Sequence, residues 1–279
     1  MKKIGFIDYY LDEFHANHYV EWISQATAGS MQVAYAWAKM DSPGGRTTEQ
    51  WCLDYGVKQL RTVEELVGVS DYIIVLSPDN PEMHEELCRV PLQSGKPVYI
   101  DKTFAPDTAA AKRIFALADR SGTPCFSSSA LRFAEEYGAI SRESVKNISS
   151  WGPGSYEVYS IHQIEPIVSL MGPDAIRVMY IGTPDWPAVV IEFSGGRRAV
   201  LSHHGWECPF AMAANLKDGT SRTLQIQSDY YKYFIKEMTD FFQTGKVKAE
   251  HEETVAVIAI REAGLKASKF PGEWIAVDI

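Results

Sequence analysis

Short apolar runs alternate with helical patterns from Lys2 to Phe126, and this alternation fixes the fold class of the first half of the chain. "KIGFID" (3–8), "MQVAYAWA" (31–38), "DYIIVLS" (71–77) and "KPVYID" (96–101) read as buried strands. Between them fall helical patterns. The first carries Ala16, Tyr19, Val20, Ile23 and Ala26 at helical spacing. "TTEQWCLDYG" (47–56) is a short helix ended by Gly56. "NPEMHEELCRVPLQSG" (80–95) reads as one helix, with proline at its start and glycine at its end. "APDTAAAKRIFALADRSG" (105–122) is a strong helix, with Asp107 or Thr108 as its N-cap. Strands joined by helical crossovers imply a parallel, doubly wound sheet. Ligands of such sheets bind beyond the carboxyl ends of the strands. Residues 8–12, 77–80 and 101–103 are therefore expected around one crevice.

The second half changes character. "AIRVMYIG", "PAVVIEFSGGRRAVLSHHG", "FAMAANLKDG" and "TLQIQ" are strand-like runs joined by tight turns, with "SGG" as a hairpin signal. Helices follow at 230–245 and 252–269. The expectation is an α/β chain of two domains. Residues 1–128 form the doubly wound domain, and residues 129–279 form an α+β domain with an open antiparallel sheet.

Composition removes several function classes. A net charge of -9 argues against a nucleic-acid partner, because phosphate binding needs a basic face. Runs such as "YIIVL" are too short to span a bilayer, so no membrane partner is expected. Asp8 interrupts the first apolar run too early for a signal peptide. The four cysteines are scattered without a CxxC pair and read as reduced thiols in a cytoplasmic protein.

The block from "IIVLSPDN" to "GKPVYIDKTFAPD" resembles the Gfo/Idh/MocA family, the glucose–fructose oxidoreductase and inositol dehydrogenase group. The matching residues are Ser77-Pro78, His84, Gly95-Lys96 and Asp101-Lys102-Thr103. "YSIHQIEPIVSLMG" (159–172) is similar to the histidine-bearing helix that opens the family's substrate domain. "ETVAVIAIREAGLKAS" resembles its last helix. The resemblance implies a Rossmann domain, NAD or NADP as cofactor, and a sugar or cyclitol oxidised at a carbinol. It also implies a homo-oligomer packed through the C-terminal sheet. Lys102 matches the family lysine near the reacting hydroxyl, His162 matches its catalytic histidine, and Arg132 loosely matches a basic residue near the domain junction. By the same resemblance, Asp8, Tyr9, Tyr10, Ser77, Pro78, Asn80, His84 and Asp101 would line the cofactor site.

Histidine suits proton removal from a carbinol because its pKa lies near neutrality. Lysine can orient the oxygen. Both roles require the two side chains to face the same crevice. Glu165 lies three residues beyond His162, on one helix face, and either orients the imidazole, binds a substrate hydroxyl or makes a local helix pair. Tyr159, one turn before His162, supplies a hydroxyl or packs. The aspartate that many family members place four residues before the histidine is Val158 here, with Glu157 one residue off.

The turn after the first strand departs furthest from the family. No glycine occurs between Gly5 and Gly29. Glycines there give the tight turn and let backbone N–H groups approach the pyrophosphate. Asp8, Asp12 and Glu13 stand in that turn instead, and carboxylates repel a phosphate. One reading has Asp12 capping the helix with the others in solvent; we expect at least one carboxylate to face the crevice, and the cofactor to be held differently or weakly. Lys39 with Arg46 could accept a 2′-phosphate, or be solvated. His15, His18, His203 and His204 have no metal-ligand spacing, so no metal is expected. Two other readings compete with the oxidoreductase. One is a non-catalytic binding protein that kept the fold and lost the nucleotide. The other is a metal-dependent isomerase or lyase.

Overall fold

The computed structural model describes every residue except Asp79. That residue falls inside the 77–80 stretch expected at the crevice, and it lies outside the described residues. In chain order the first elements are β1 (Lys2–Asp8), α1 (Phe14–Ala26), β2 (Met31–Ala38), α2 (Thr48–Tyr55), β3 (Lys58–Gln59), α3 (Val63–Val69), β4 (Tyr72–Val75), α4 (His84–Leu87), β5 (Val98–Ile100), α5 (Thr108–Ser121) and β6 (Cys125–Phe126). The chain continues through β7 (Val145–Pro153), α6 (Tyr156–Met171), β8 (Ala175–Tyr180), β9 (Ala188–Phe193), β10 (Arg198–His204), β11 (Ala211–Leu216), β12 (Ser221–Gln225), α7 (Tyr230–Thr244), α8 (His251–Ala267) and β13 (Trp274–Ala276).

The chain divides into two compact units. Among the described residues, the first holds a six-stranded sheet in the order β3-β2-β1-β4-β5-β6, parallel throughout. Strand order reverses between β1 and β4, which puts the ligand crevice of this fold at their carboxyl ends. Ile4, Phe6 and Ile7 of β1 and Ile73, Ile74 and Val75 of β4 have no exposed surface. Burial on both faces explains why these strands read as unbroken apolar runs. Gly5 is needed in β1 because a β-carbon there would collide with Leu66 of α3. A capping box between Thr47 and Gln50 opens α2, and Gly56, at φ 65°, ends it.

The single helix expected over 80–95 is broken. A 3₁₀ turn at Pro81–Met83 leads into the one-turn α4, and a second 3₁₀ turn follows at Pro91–Gln93. Pro91 has no N–H to donate, and its ring excludes the carbonyl four residues back, so the helix stops there.

Residues 234–250 pack with the first unit, whereas the sequence division assigns them to the second domain. The cause is aromatic. Phe234 meets Tyr19 and Tyr99 with centroids 6.0 and 5.2 Å away, Phe241 meets Phe126 at 4.8 Å, and Phe242 stacks on Tyr72 at 5.0 Å. Positions 234, 241 and 242 share one stripe of α7.

The second unit comprises 106–108, 129–233 and 251–279. Its sheet runs β12-β11-β7-β10-β9-β8-β13 among the described residues. The pairings are antiparallel except β7 with β10, which is parallel, so the sheet is mixed and not fully antiparallel as expected. Helix α6 is the reason: it carries the chain back across the sheet after β7, so the meander that follows returns a strand in the same direction. The sequence reading did not identify β7. Helix α6 packs on β7 and β10, and α8 packs on β8, β13 and α6. Gly264 permits the close approach of α8 to α6, since a β-carbon there would strike the ring and hydroxyl of Tyr156. No helix among the described residues is long and apolar enough to cross a membrane.

Candidate functional site

In the first unit the expected crevice residues gather where β1, β4 and β5 end. Asp8, the last residue of β1, is 1% exposed. Its Oδ1 accepts from the Tyr9 amide at 2.7 Å, and its Oδ2 is buried without a hydrogen-bond partner among the described residues. Tyr9 and Tyr10 are half-buried, with ring centroids 5.8 Å apart. Glu13, and not Asp12, is the N-cap of α1. Its carboxylate accepts from the amides of His15, at 2.8 Å, and Ala16, and it meets His15 Nδ1 at 3.1 Å. Asp12 is drawn away by Arg46, whose Nη2 donates to it at 2.6 Å and whose backbone amide donates at 2.8 Å. That pairing holds the Asp12 carboxyl down at about 2. Lys39 is bound to Glu86 at 2.6 Å. The two cations that could have met a 2′-phosphate are thus both engaged with carboxylates.

Asp101, at the end of β5, is 1% exposed; its Oδ1 accepts from the Tyr99 hydroxyl at 2.9 Å, and its Oδ2 lies 3.5 Å from His15 Nδ1. Burial lowers the pKa of His15, but the carboxylates of Asp101 and Glu13 outweigh it and raise the pKa above its usual value. Burial pushes the Asp8 carboxyl well above its usual range, and the nearby charges of Glu13 and Asp101 add to this. Lys102 follows Asp101 and is half-buried, and the Lys102–Thr103 peptide is cis. Ser77 holds a positive φ of 94° without being glycine, a conformation that costs on the order of 1–3 kcal/mol and clusters at functional sites. Pro78 is buried beside it, and its carbonyl accepts from the Thr103 amide at 3.4 Å. Asn80 is half-buried, and its carbonyl accepts from Ser77 Oγ at 3.2 Å. His84 has no exposed surface; its ring nitrogens face the carbonyls of Phe104 at 3.0 Å and Leu76 at 2.8 Å. Burial pulls the pKa of that imidazole below its usual value against the opposing pull of the carbonyls, and the ring links residue 76, just past β4, to residue 104.

In the second unit His162 is half-buried on α6, and its Nδ1 lies 2.7 Å from Ser129 Oγ. Tyr159 stands edge-on to the imidazole at 5.2 Å, Trp206 meets Tyr159 at 4.9 Å, and Phe210 lies 6.0 Å from His162. Trp206 is 70% exposed. Pro166, one turn on, lacks the N–H that would bond the His162 carbonyl. Arg132 and Glu165 meet each other at 3.3 Å. Arg132 also pairs with Glu253 of α8, which Arg142 reaches at 2.6 Å.

Comparison with known proteins agrees with this architecture. Residues 14–129 match the family described as "Oxidoreductase family, NAD-binding Rossmann fold", GFO_IDH_MocA. That matched segment, short of half of the chain, is similar to the NAD-binding domain of the Gfo/Idh/MocA oxidoreductases. Among solved structures, myo-inositol dehydrogenase from Lactobacillus casei, in complex with NAD(H) and myo-inositol, has a TM-score of 0.82 at 12% identity, covering 100% of this chain and 97% of that one. GenD2 from gentamicin A biosynthesis, in complex with NAD, has a TM-score of 0.78 at 14% identity, covering 100% and 97%. An oxidoreductase from Bacillus cereus has a TM-score of 0.72 at 16% identity, covering 100% and 99%. Identities this low establish the shared fold alone. No curated protein matches the sequence.

The family match begins at Phe14, immediately past the turn of residues 8–13. A Gfo/Idh/MocA domain is an NAD-binding Rossmann domain, in which a pyrophosphate rests on open amides at the start of the first helix. Here the amides of His15 and Ala16 already hold a carboxylate, and Asp8 and Asp101 stand close by. The residues present do not fit a pyrophosphate in that mode. Sequence reasoning missed Glu13 as the cap, Ser129 as the partner of His162, and Trp206 and Glu253 altogether. Of these, only Glu13 had a local signal, since it immediately precedes the helix.

Asp8 gives a prediction with a definite sign. Its folded pKa lies above its unfolded value of about 4. The folded state therefore keeps a proton that the unfolded state releases, and stability is lost as pH rises from about 4 through the folded pKa. Asp8→Asn should raise the melting temperature at pH 7 and lose that gain below pH 4. A destabilisation of equal size at every pH would mean that the ionised carboxylate is satisfied after all.

Proposed function

We propose that this protein is an oxidoreductase acting on a carbinol of a sugar-like or cyclitol polyol, with NAD or NADP as cofactor. The observation that carries this reading is the setting of His162: a half-buried imidazole, fixed by Ser129 and flanked by Tyr159 and Phe210. His162 takes the hydroxyl proton, a role suited to a group that titrates near neutrality and is held in one orientation. The resemblance assigns Lys102, in the first unit, to the reacting hydroxyl, where its charge favours the alkoxide. Tyr159 and Trp206 offer apolar ring faces to the C–H face of a sugar ring. Arg132 and Glu165, bonded to each other, fix α6 from the side. The myo-inositol bound in the L. casei neighbour supports the substrate class.

The test is direct. Purified protein is titrated with NADH and NADPH, following energy transfer from its tryptophans, and then assayed with NAD and NADP against a panel of inositols and sugars for absorbance at the reduced-nicotinamide band. Binding of either cofactor, and reduction with at least one polyol, is expected. Absence of binding by both at millimolar concentration would sink the oxidoreductase reading. The occupation of the α1 amides by Glu13 favours a second reading, a polyol-binding protein without turnover; polyol binding with no nucleotide binding selects it.

A further inference from the structure

We infer that the Glu13 carboxylate is an internal stand-in for the pyrophosphate of the cofactor, and that a dinucleotide binds only when Glu13 leaves the α1 amides. This rests on the oxidoreductase reading and adds what sets cofactor affinity at that site. Three observations support it. First, α1 is a thirteen-residue helix that follows β1, the strand at the reversal of sheet order, which is where this fold presents amides to an anion. Second, those amides are taken from within the chain: Glu13 accepts from His15 and Ala16 and also meets the His15 ring. Third, the arrangement leaves its neighbour unsatisfied. Asp8 Oδ2 is buried with no hydrogen-bond partner among the described residues, and Glu13 is one of the charges acting on that carboxyl, which the Tyr9 and Tyr10 amides oppose. Outward rotation of Glu13 frees two donors for a phosphate, which replaces one anion beside Asp8 with another.

Glu13 therefore acts as a competitor at fixed, high local concentration. Removing it should tighten binding of phosphate-bearing ligands by about 10- to 100-fold, the range spanned by a hydrogen bond to a charged group. Calorimetric titration of ADP-ribose, inorganic pyrophosphate, NADH and adenosine into the wild-type chain, Glu13→Gly and Glu13→Ala tests this. Glycine is only a few tenths of a kcal/mol poorer than the best N-caps, and Glu13 sits in extended backbone at φ −140°, so Glu13→Gly preserves the fold; thermal melts check both variants. The expected result is tighter ADP-ribose, pyrophosphate and NADH binding in both variants, with adenosine unchanged. Pyrophosphate and ADP-ribose binding that is the same in all three proteins, including no binding in any, overturns the inference. Tight NADH binding by the wild type that is unaffected by Glu13→Gly also overturns it, while leaving the oxidoreductase reading intact. A gain for ADP-ribose and pyrophosphate with no NADH binding by any protein overturns the dinucleotide part of the inference, keeps only the competition between Glu13 and phosphate, and removes the oxidoreductase reading.

Discussion

His162→Ala lowers kcat by about 10²- to 10⁴-fold, the usual contribution of a general base. On the role proposed for the imidazole, kcat and kcat/KM should fall together, with KM little changed. Cofactor affinity should stay as in the wild type, because His162 belongs to the second unit and the expected cofactor residues to the first. Steady-state kinetics on the polyol found to be turned over, beside NADH titration of the variant, measures all of these. Undiminished turnover in His162→Ala removes the residue from the chemistry.

Arg132→Met should cost about 3–5 kcal/mol of stability, the penalty for leaving buried carboxylates without their counter-charge. The Arg132 side chain is 9% exposed, and its partners Glu165 and Glu253 are 4% and 7% exposed. Glu253 keeps Arg142 at 2.6 Å, which limits its share of the loss. Adding Glu165→Gln to Arg132→Met should therefore recover stability, because a neutral amide tolerates burial far better than a carboxylate. Urea unfolding of the two singles and the double gives the coupling between them. If Arg132→Met unfolds at the wild-type midpoint and instead weakens polyol binding, the arginine serves the ligand and not the fold.

Much of the fold is legible in the residues because burial writes itself into pattern. The runs at 3–8 and 72–76 are unbroken because β1 and β4 are covered on both faces. The failures have equally local causes. Pro91 divides a stretch whose other signals are helical. Strand β7, "VKNISSWGP", buries only some of its positions and is diluted by serine and asparagine, so no continuous apolar run announces it. His162 and Lys102 could be nominated from the sequence because each carries its chemistry alone; the residues that surround them could not. Asp12 and Glu13 are adjacent acids before one helix, and the choice of cap is made by Arg46, more than thirty positions away, which claims Asp12. Ser129 is one of three consecutive serines, and only the fold selects it for His162. Glu253 looks like an ordinary acid in the first turn of a helix until Arg132 and Arg142 are found against it.

The placement of α7 carries a consequence for how the molecule is made. Tyr72, Tyr99 and Phe126 emerge from the ribosome early, but Phe234, Phe241 and Phe242, which cover them, follow only after residues 129–233 have been synthesised. Throughout that interval the nascent nucleotide-fold half carries a sticky aromatic wall, a ready target for chaperones and for aggregation. A gene cut after codon 128 would encode a fragment with that wall permanently bare.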